Sequence, residues 1–197
     1  MEKFRVEYTR KYLQEVADLL KQMEEDFVVK MNQITKILLE ARGKRQTIFF
    51  MGNGGSAATA SHFVGDLSKG TIVEGYPRFK AVALTDNIPN MLAWGNDSSY
   101  EDIFVEQLKN LMEPGDVIVG ISGSGNSKNV VKAIDYANKN GGITIGILGY
   151  DGGKLLNAVQ ESIHVPSFNM QQVEDIHVLV SHLLTSMIRE EQKQQLS

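Results

Sequence analysis

Two segments of the chain place a short apolar run directly before a glycine- and serine-rich turn and a helix-like stretch. They are residues 47–56 (TIFFMGNGGS) and residues 117–127 (VIVGISGSGNS). Glycine lets the backbone approach an anion closely, serine hydroxyls donate hydrogen bonds, and a helix N-terminus offers free N–H groups and a positive dipole end. Both segments are therefore typical of strand–turn–helix units that bind phosphate.

The spacing of the glycines argues against nucleotide ligands. Neither turn has the Gly-x-x-x-x-Gly-Lys-Ser/Thr pattern of triphosphate sites, or Gly-x-Gly-x-x-Gly with an acidic residue about 20 positions on. In the second turn, Ser122, Ser124 and Ser127 put three hydroxyls within six residues with no cation among them, which favours a phosphate monoester. The alternative is a small-residue turn that only caps the next helix, with Ser127 as the N-cap.

Short apolar runs alternate with helix-like runs after residue 45. The strand-like runs are 47–51, 80–84, 117–121, 144–148 and 162–165. The helix-like runs are 57–67, 100–112, 127–140, 154–159 and a last one at 171–192. This order predicts an α/β fold with one parallel sheet, helices on both faces and right-handed connections. Ligands of such sheets bind outside the carboxyl ends of the strands, where both glycine turns fall.

The N-terminal segment has a helical pattern. Residues 5–42 carry apolar side chains at helical spacing without proline, which predicts one long helix or a bent pair. We assign residues 1–45 to an N-terminal helical arm of the same domain that makes oligomer contacts, and residues 46–197 to the α/β domain proper. The polar tail, 190–197, is expected to fray.

Composition excludes several classes of function. The 197 residues carry a net charge of −4, which gives no electrostatic case for binding nucleic acid or a membrane surface. Cysteine is absent, so disulfide and thiol chemistry are excluded. Neither an apolar signal core nor a run of about 18 apolar residues is present, and we expect a cytoplasmic protein.

Two pairs of polar residues follow the first turn. His62 and Asp66 are four positions apart and share a helix face, so they can bind one metal ion or act as an acid/base pair. The alternative is a solvated polar pair. Asn96 and Asp97 can bind sugar hydroxyls, although that dipeptide also favours an Asx turn on its own.

The last helix-like run holds four more candidates: Glu174, Asp175, His177 and His182. Glu174 and His182 are eight positions apart, which is about 12 Å along a helix and about 80° around it. They cannot easily bind one metal from the same straight helix. Either Glu174 precedes the helix, or the two residues reach one site from different subunits. Asp175 and His177 are equally compatible with packing.

These segments resemble, in order and spacing, the sugar isomerase (SIS) domain family and within it the phosphoheptose isomerase group. The resemblance covers nearly the whole chain, including the arm. It is carried by residues 52–56, His62 and Phe63, 95–97, 120–127, 149–154, Ile176, His177 and His182. It implies a three-layer, flavodoxin-like α/β fold with a five-stranded parallel sheet, and a homotetramer with active sites at subunit interfaces.

The resemblance also implies an activity, the conversion of sedoheptulose 7-phosphate to D-glycero-D-manno-heptose 7-phosphate, and it assigns roles by position. The substrate contacts are Asn53, Gly54, Gly55 and Ser56. The phosphate contacts are Ser122, Gly123, Ser124 and Ser127, and the sugar contacts are Asn96 and Asp97. The metal and acid/base cluster is His62, Asp66, Glu174 and His182, and zinc is the expected ion. Asp66 and Glu174 are also expected to contact the substrate.

The chain departs from the family pattern at three positions. Asp66 stands where the family usually has Glu, and Glu174 where it usually has Gln. The family's arginine shortly after the acidic residue is replaced by the sequence 67–70 (LSKG), in which Lys69 supplies charge without a bidentate fork. Two carboxylates and two histidines still form a suitable set for a divalent metal.

The leading hypothesis is aldose–ketose isomerisation, with Asp66 and His182 as base and acid. Two non-catalytic alternatives remain open. One is a phosphosugar-binding protein. The other is an adaptor of the bacterial replication initiator, because one branch of the family has that role. That branch shares the glycine turns but does not keep the complete acidic and histidine set.

Overall fold

The protein is described by a computed structural model that covers residues 1–196. The strands are β1 (Thr47–Met51), β2 (Lys80–Ala83), β3 (Val117–Ser122), β4 (Ile143–Leu148) and β5 (Glu161–His164). The helices are α1 (Glu2–Gly43), α2 (Gly55–Gly65), α3 (Ile88–Asp97), α4 (Val105–Leu111), α5 (Lys128–Lys139), α6 (Gly153–Ala158) and α7 (Met170–Leu196). A π-helical turn at Asp66–Gly70 continues α2, and a 3₁₀ turn at Tyr100–Asp102 precedes α4.

The five strands form one parallel sheet in the order β2-β1-β3-β4-β5. Successive residues of β1 face opposite sides, so Ile48 and Phe50 join one hydrophobic core while Phe49 and Met51 join another. Helices α1, α2 and α7 cover the first core, and α4, α5 and α6 cover the second. This confirms the predicted three-layer α/β fold.

The order of the strands puts the two glycine turns side by side. After β1 the chain forms β2 on one side of β1, and it then returns to form β3 on the other side. Met51 at the end of β1 pairs with Gly120 of β3. The crevice at such a reversal is where ligands of open α/β sheets bind. The fold therefore places both phosphate-type turns at one end of neighbouring central strands.

The N-terminal arm is a single 42-residue helix, which decides between the two forms left open by the sequence. Its C-terminal part packs on the sheet through buried residues that begin at Leu19. The first 18 residues contain no buried side chain, although Phe4, Val6, Tyr8 and Leu13 are apolar. No helix within residues 1–196 is both long and apolar enough to cross a bilayer.

Four local predictions were wrong. Helix α3 was not predicted, and it includes Asn96 and Asp97 in its last turn, where an Asx turn was the alternative. The predicted helix at 100–112 is split, because Asp102 accepts hydrogen bonds from Ser98 and Ser99 and holds the chain in a 3₁₀ turn. The predicted helix at 57–67 becomes π-helical from Asp66 onwards. The tail is helical to Leu196 instead of frayed from 190.

Candidate active site

The second glycine turn joins β3 to α5 and brings its hydroxyl groups together. Ser122 Oγ lies 3.0 Å from Ser127 Oγ, and the backbone N–H of Gly125 donates to Ser122 Oγ at 3.1 Å. Ser127 occupies the N-cap position of α5, but its hydroxyl makes no capping hydrogen bond to that helix. The hydroxyl is therefore held beside Ser122 at the helix start, which is suited to an anion.

Packing explains two glycines of this turn. A Cβ on Gly123 would lie 2.7 Å from the sulfur of Met170, at the start of α7. Gly125 has φ +63°, and a Cβ there would overlap the carbonyl of Gly152. Gly123 was predicted to contact phosphate, and as a glycine it can do so only through its backbone.

The first glycine turn joins β1 to α2 around Gly54, which has φ +55°. Asn53 is half-buried, and its side-chain oxygen accepts hydrogen bonds from Asn129 Nδ2 at 2.9 Å and from the Tyr100 hydroxyl at 2.8 Å. Ser56, predicted as a substrate contact, is buried with 7% of its surface exposed. Of the four residues predicted at this turn, Asn53 and Gly54 line a cleft of about 490 Å³.

We call this cavity the Asn53 cleft. Thr85, Asn96 and Tyr100 are its other polar lining residues, and the large apolar ones are Met91, Leu92, Ile103 and Phe104. Asn96 donates to Asp97 Oδ1 at 2.7 Å, but the Asp97 side chain lines a separate hollow on α3 with Asn87 and Trp94. Of the two predicted sugar contacts, Asn96 therefore faces the cleft.

The predicted metal and acid/base residues converge in part. His62 Nε2 lies 2.7 Å from His182 Nε2, and the two rings meet edge to face. Asp66 Oδ2 lies 3.3 Å from His62 Nε2 and 3.8 Å from His182 Nε2. Three donor atoms from α2, the π turn and α7 are thus gathered at one point.

This donor set fits a zinc ion. The three atoms lie within 4.8 Å of one another. Ligands around a tetrahedral zinc, at about 2.0–2.1 Å from the ion, are about 3.3 Å apart, so the imidazoles would have to separate by about 0.6 Å. Two imidazoles and one carboxylate also match catalytic zinc sites, which leave a fourth position for water or substrate.

Glu174 does not belong to this three-residue group. It lies inside α7, so the possibility that it precedes the helix is wrong. Its carboxylate packs against the first turn of α2, where a Cβ on Gly55 would lie 2.7 Å from Glu174 Oε1. This position is favourable for a negative charge because it faces a helix N-terminus. Glu174 still shares with His62 and His182 an open hollow of about 460 Å³, which we call the His62 hollow.

The Asn53 cleft and the His62 hollow lie on different faces of α2. Ala57 lines the cleft, whereas Gly55, Ala58, Thr59 and His62 line the hollow, and the two cavities share no lining residue. The His62 and His182 side chains are 50% and 55% exposed. Within one chain, the substrate-type residues and the acid/base cluster do not form a single enclosed site.

Comparison with known proteins gives this site a context. Residues 11–149 match the SIS domain family. The chain belongs to the SIS domain family. The chain is 36% identical over 183 residues to the phosphoheptose isomerase of Trichlorobacter lovleyi, and the match covers 93% of each chain. It is 41% identical over 161 residues to that of Geotalea daltonii, covering 81% of this chain and 82% of the relative.

A solved structure agrees with the sequence relatives. The phosphoheptose isomerase from Neisseria gonorrhoeae superimposes on this SIS domain with a TM-score of 0.86 and 30% identity. The match covers 93% of this chain and 98% of the gonococcal chain. The resemblance to the phosphoheptose isomerase group is thereby confirmed.

Two titratable groups have shifted pKa values, one on α7 and one that contacts it from α1. Tyr12 of α1 donates a hydrogen bond to Asp175, which lines the His62 hollow, and that bond raises the pKa of Tyr12 to about 12. His177 lies in the buried stripe of α7, where burial lowers its pKa to about 4. The nearby Leu148 backbone offsets this only partly, and neither ring nitrogen makes a hydrogen bond of normal geometry within the described residues.

Two polar residues that hold Asn53 were missed by the sequence reasoning. Tyr100 and Asn129 both hydrogen-bond Asn53, although they are 47 and 76 positions from it. No local pattern signals such distant pairs. Helix α3 did carry a signal, because Asn87 at its N-cap accepts from the Asn90 N–H and a proline occupies its first turn.

Proposed function

We propose that this SIS domain protein is a phosphoheptose isomerase that interconverts sedoheptulose 7-phosphate and D-glycero-D-manno-heptose 7-phosphate. The observation that carries the proposal is the convergence of His62, Asp66 and His182, because isomerisation needs groups that move a proton between adjacent carbons. Relatives at 36% and 41% identity bear the name phosphoheptose isomerase, which supports the same reaction here.

The phosphate of the open-chain sugar binds at the second turn. Ser122, Ser124 and Ser127 supply hydroxyl donors, and the start of α5 adds backbone N–H groups and its dipole. No side-chain cation lies between Ser122 and Ser127, so this turn holds the phosphate by hydrogen bonds. This anchoring fixes the distance from the phosphate to the reacting end of the sugar.

The sugar chain then extends along the first turn. Asn53 and Asn96 line the cleft and offer amide groups to hydroxyls, and Asp97 accepts the Asn96 amide and orients it. Gly54 gives the sugar close access to the start of α2, because it carries no side chain. Gly55 lies on the other face of the helix, against the Glu174 carboxylate. Ser56 is buried, so its contribution is to hold the turn.

Proton transfer falls to Asp66 and His182. A base removes a proton from C1 of the ketose, the electron pair forms a C1–C2 double bond, and the carbonyl oxygen at C2 takes up a proton. The hydroxyl proton on O1 then leaves as the C1 carbonyl forms, and C2 is protonated to give the aldose. Asp66 and His182 are close enough to each other to alternate as base and acid.

His62, Asp66 and His182 would also hold a zinc ion. Such an ion would supply Lewis-acid polarisation of the substrate carbonyl. Glu174 is a candidate fourth ligand in the complete assembly, since its carboxylate lines the same hollow.

We also propose that a homotetramer completes the site. An acid/base cluster in which both histidines are half-exposed cannot exclude water, and a second copy over the His62 hollow would enclose it. The Asn53 cleft of one subunit would then face the His62 hollow of another. Phosphorylated heptoses are charged and do not cross a bilayer unaided, so we expect the reaction to be cytoplasmic.

The decisive experiment is turnover of sedoheptulose 7-phosphate, followed by the appearance of aldoheptose phosphate. We expect turnover that a chelator abolishes and that zinc restores. Absence of turnover on any heptulose, hexulose or pentulose phosphate would refute the proposal. Capture of the replication initiator that is unaffected by Asp66→Asn would instead favour the adaptor role.

A further inference from the structure

The two glycine turns are tied together by a reciprocal pair of amide side chains. Asn53 Nδ2 donates to Asn129 Oδ1 at 3.0 Å, and Asn129 Nδ2 donates to Asn53 Oδ1 at 2.9 Å. Asn53 belongs to the turn after β1, whereas Asn129 lies in the first turn of α5, two residues beyond Ser127. The pair therefore bridges the sugar side and the phosphate side of the crevice.

The direction of these hydrogen bonds is fixed by the backbone. The N–H of Val130 donates to Asn129 Oδ1 at 3.0 Å, and a backbone N–H can only donate. The accepting atom of Asn129 must therefore be its oxygen, so its nitrogen faces Asn53. Asn53 in turn must present its oxygen to that nitrogen.

Tyr100 completes the constraint from the other side of the cleft. Its hydroxyl donates to Asn53 Oδ1 at 2.8 Å, so that oxygen accepts two hydrogen bonds. One N–H of Asn53 is used on Asn129 Oδ1. The remaining N–H is the polar group that half-buried Asn53 offers to a ligand in the cleft, and it is a donor.

We propose that Asn129 is a positioning residue for the isomerase reaction, and that it acts with Tyr100 by holding Asn53 with its N–H toward the sugar. Asn129 is 2% exposed and does not line the Asn53 cleft, so it acts through Asn53. Without Asn129, Asn53 is free to turn its oxygen toward the sugar. This inference rests on the proposed function, because it names a phosphosugar as the ligand.

The test is a double-mutant cycle on the full-length protein, with Asn129→Ser made in wild type and in Asn53→Ala. Serine is neutral, so it adds no charge beside the phosphate turn. We expect Asn129→Ser alone to lower kcat/KM for sedoheptulose 7-phosphate about tenfold, the effect of about one lost hydrogen bond. In the Asn53→Ala background, Asn129→Ser should lower kcat/KM less than about twofold. A residue that acts only through Asn53 has no separate effect once the Asn53 side chain is removed.

Calorimetry with inorganic phosphate distinguishes the positioning of Asn53 from a purely structural role, in which Asn129 only stabilises the N-terminus of α5. The phosphate dissociation constant of Asn129→Ser should stay within about twofold of wild type. The matched control is Asn138→Ser, at the far end of α5, where the amide bonds Ala158 and Thr144 and turnover should not change. Equal losses in both backgrounds, or a parallel loss of phosphate binding, would overturn the proposal.

If Asn129→Ser does not fold, Tyr100→Phe is used in the same cycle, because Tyr100 is exposed. We expect Tyr100→Phe to lower kcat/KM about threefold in wild type and to have no such effect in Asn53→Ala. A wild-type protein that binds sedoheptulose 7-phosphate without turnover refutes only the proposed function. The cycle is then read from the binding constants, and non-additivity there supports the positioning role. A protein that does not bind this sugar phosphate overturns both.

Discussion

Nε2 of His62 lies 2.7 Å from Nε2 of His182, and this contact joins the helix after β1 to the last helix of the chain. At this distance one nitrogen carries the proton and the other accepts it. A metal ion needs the lone pairs of both nitrogens, so its binding must move that proton from Nε2 to Nδ1 of the same ring. With an ion bound to one atom of each residue, the second carboxylate oxygen of Asp66 would remain free to move protons.

We expect zinc binding and turnover to depend on this pair. His182→Ala should remove stoichiometric zinc, measured by atomic absorption on the purified protein, and lower kcat by about 100-fold or more. His164→Gln is the matched control, because His164 hydrogen-bonds the Tyr150 backbone outside the site. A His182→Ala protein that keeps its zinc and its kcat would contradict the assignment.

Subunit mixing tests whether the cleft and the hollow of different chains form one site. Ser122→Ala damages the cleft side, and His182→Ala damages the hollow. The assay is run well below the wild-type KM, where the raised KM of Ser122→Ala also lowers the rate. If each site takes one half from each of two subunits, a refolded equimolar mixture should then recover about a quarter of the wild-type rate by random assortment. A mixture that forms mixed tetramers but stays inactive would show that both halves belong to the same chain.

The serine turn should determine affinity for the phosphate group. Ser122→Ala removes a hydroxyl that touches both Ser127 and the Gly125 N–H, and a lost hydrogen bond to a charged phosphate weakens binding by about 1.5–3 kcal/mol. We expect KM for the sugar phosphate to rise at least tenfold. Unphosphorylated sedoheptulose serves as the control ligand, and its weak binding should not change.

Gly125 should tolerate no side chain. Alanine there would be strained at φ +63° and would collide with the Gly152 carbonyl, so we expect a loss of unfolding free energy of about 3 kcal/mol or more in urea titrations. Gly43→Ala is the control, since no atom lies within 4 Å of that Cβ position at the end of α1. A Gly125→Ala protein as stable as the control would show that the turn can rearrange.

His177 should make the fold sensitive to acid. Its pKa is about 4 in the folded state against about 6.5 when unfolded, so the unfolded chain binds the extra proton between these values. The contribution of neutral His177 to the unfolding free energy should therefore be fully present above about pH 6.5. The unfolding free energy should fall by about 3 kcal/mol as the pH drops to 4. His177→Met should remove this part of the pH dependence, measured as the difference from wild type in chemical denaturation. Identical pH profiles would contradict it.

The sequence predicted the sheet well because strands buried on both faces are nearly continuous in apolar residues. The predicted strand bounds agree with β1–β5 to within one residue at each end. Helix α3 was missed because it has no buried residue: Met91 and Trp94 pack only partly on the second core, and Leu92 is exposed at the cleft. Its signals were the N-cap asparagine and the proline, which are local.

Contacts between residues that are distant in the sequence were harder to predict. The i,i+4 spacing predicted that His62 and Asp66 share one helix face, and the structure brings them together with His182. Glu174, which was predicted in the same metal set, lies outside this group. The link between Asn53 and Asn129 depends on how β1 and β3 are aligned, which the sequence does not state. Long-range contacts of this kind follow from the sheet register and not from any local pattern.

The π-helical turn at Asp66–Gly70 makes this region sensitive to a change in chain length. A π turn takes about one residue more than an α turn to complete its circuit, and such turns are frequent at functional sites. Deletion of a single residue within it would restore regular α geometry and rotate everything that follows, from Lys69 to the strand at the sheet edge. Such a deletion would leave His62, Asp66 and His182 in the sequence, and it would change the direction in which the chain leaves Asp66 toward β2.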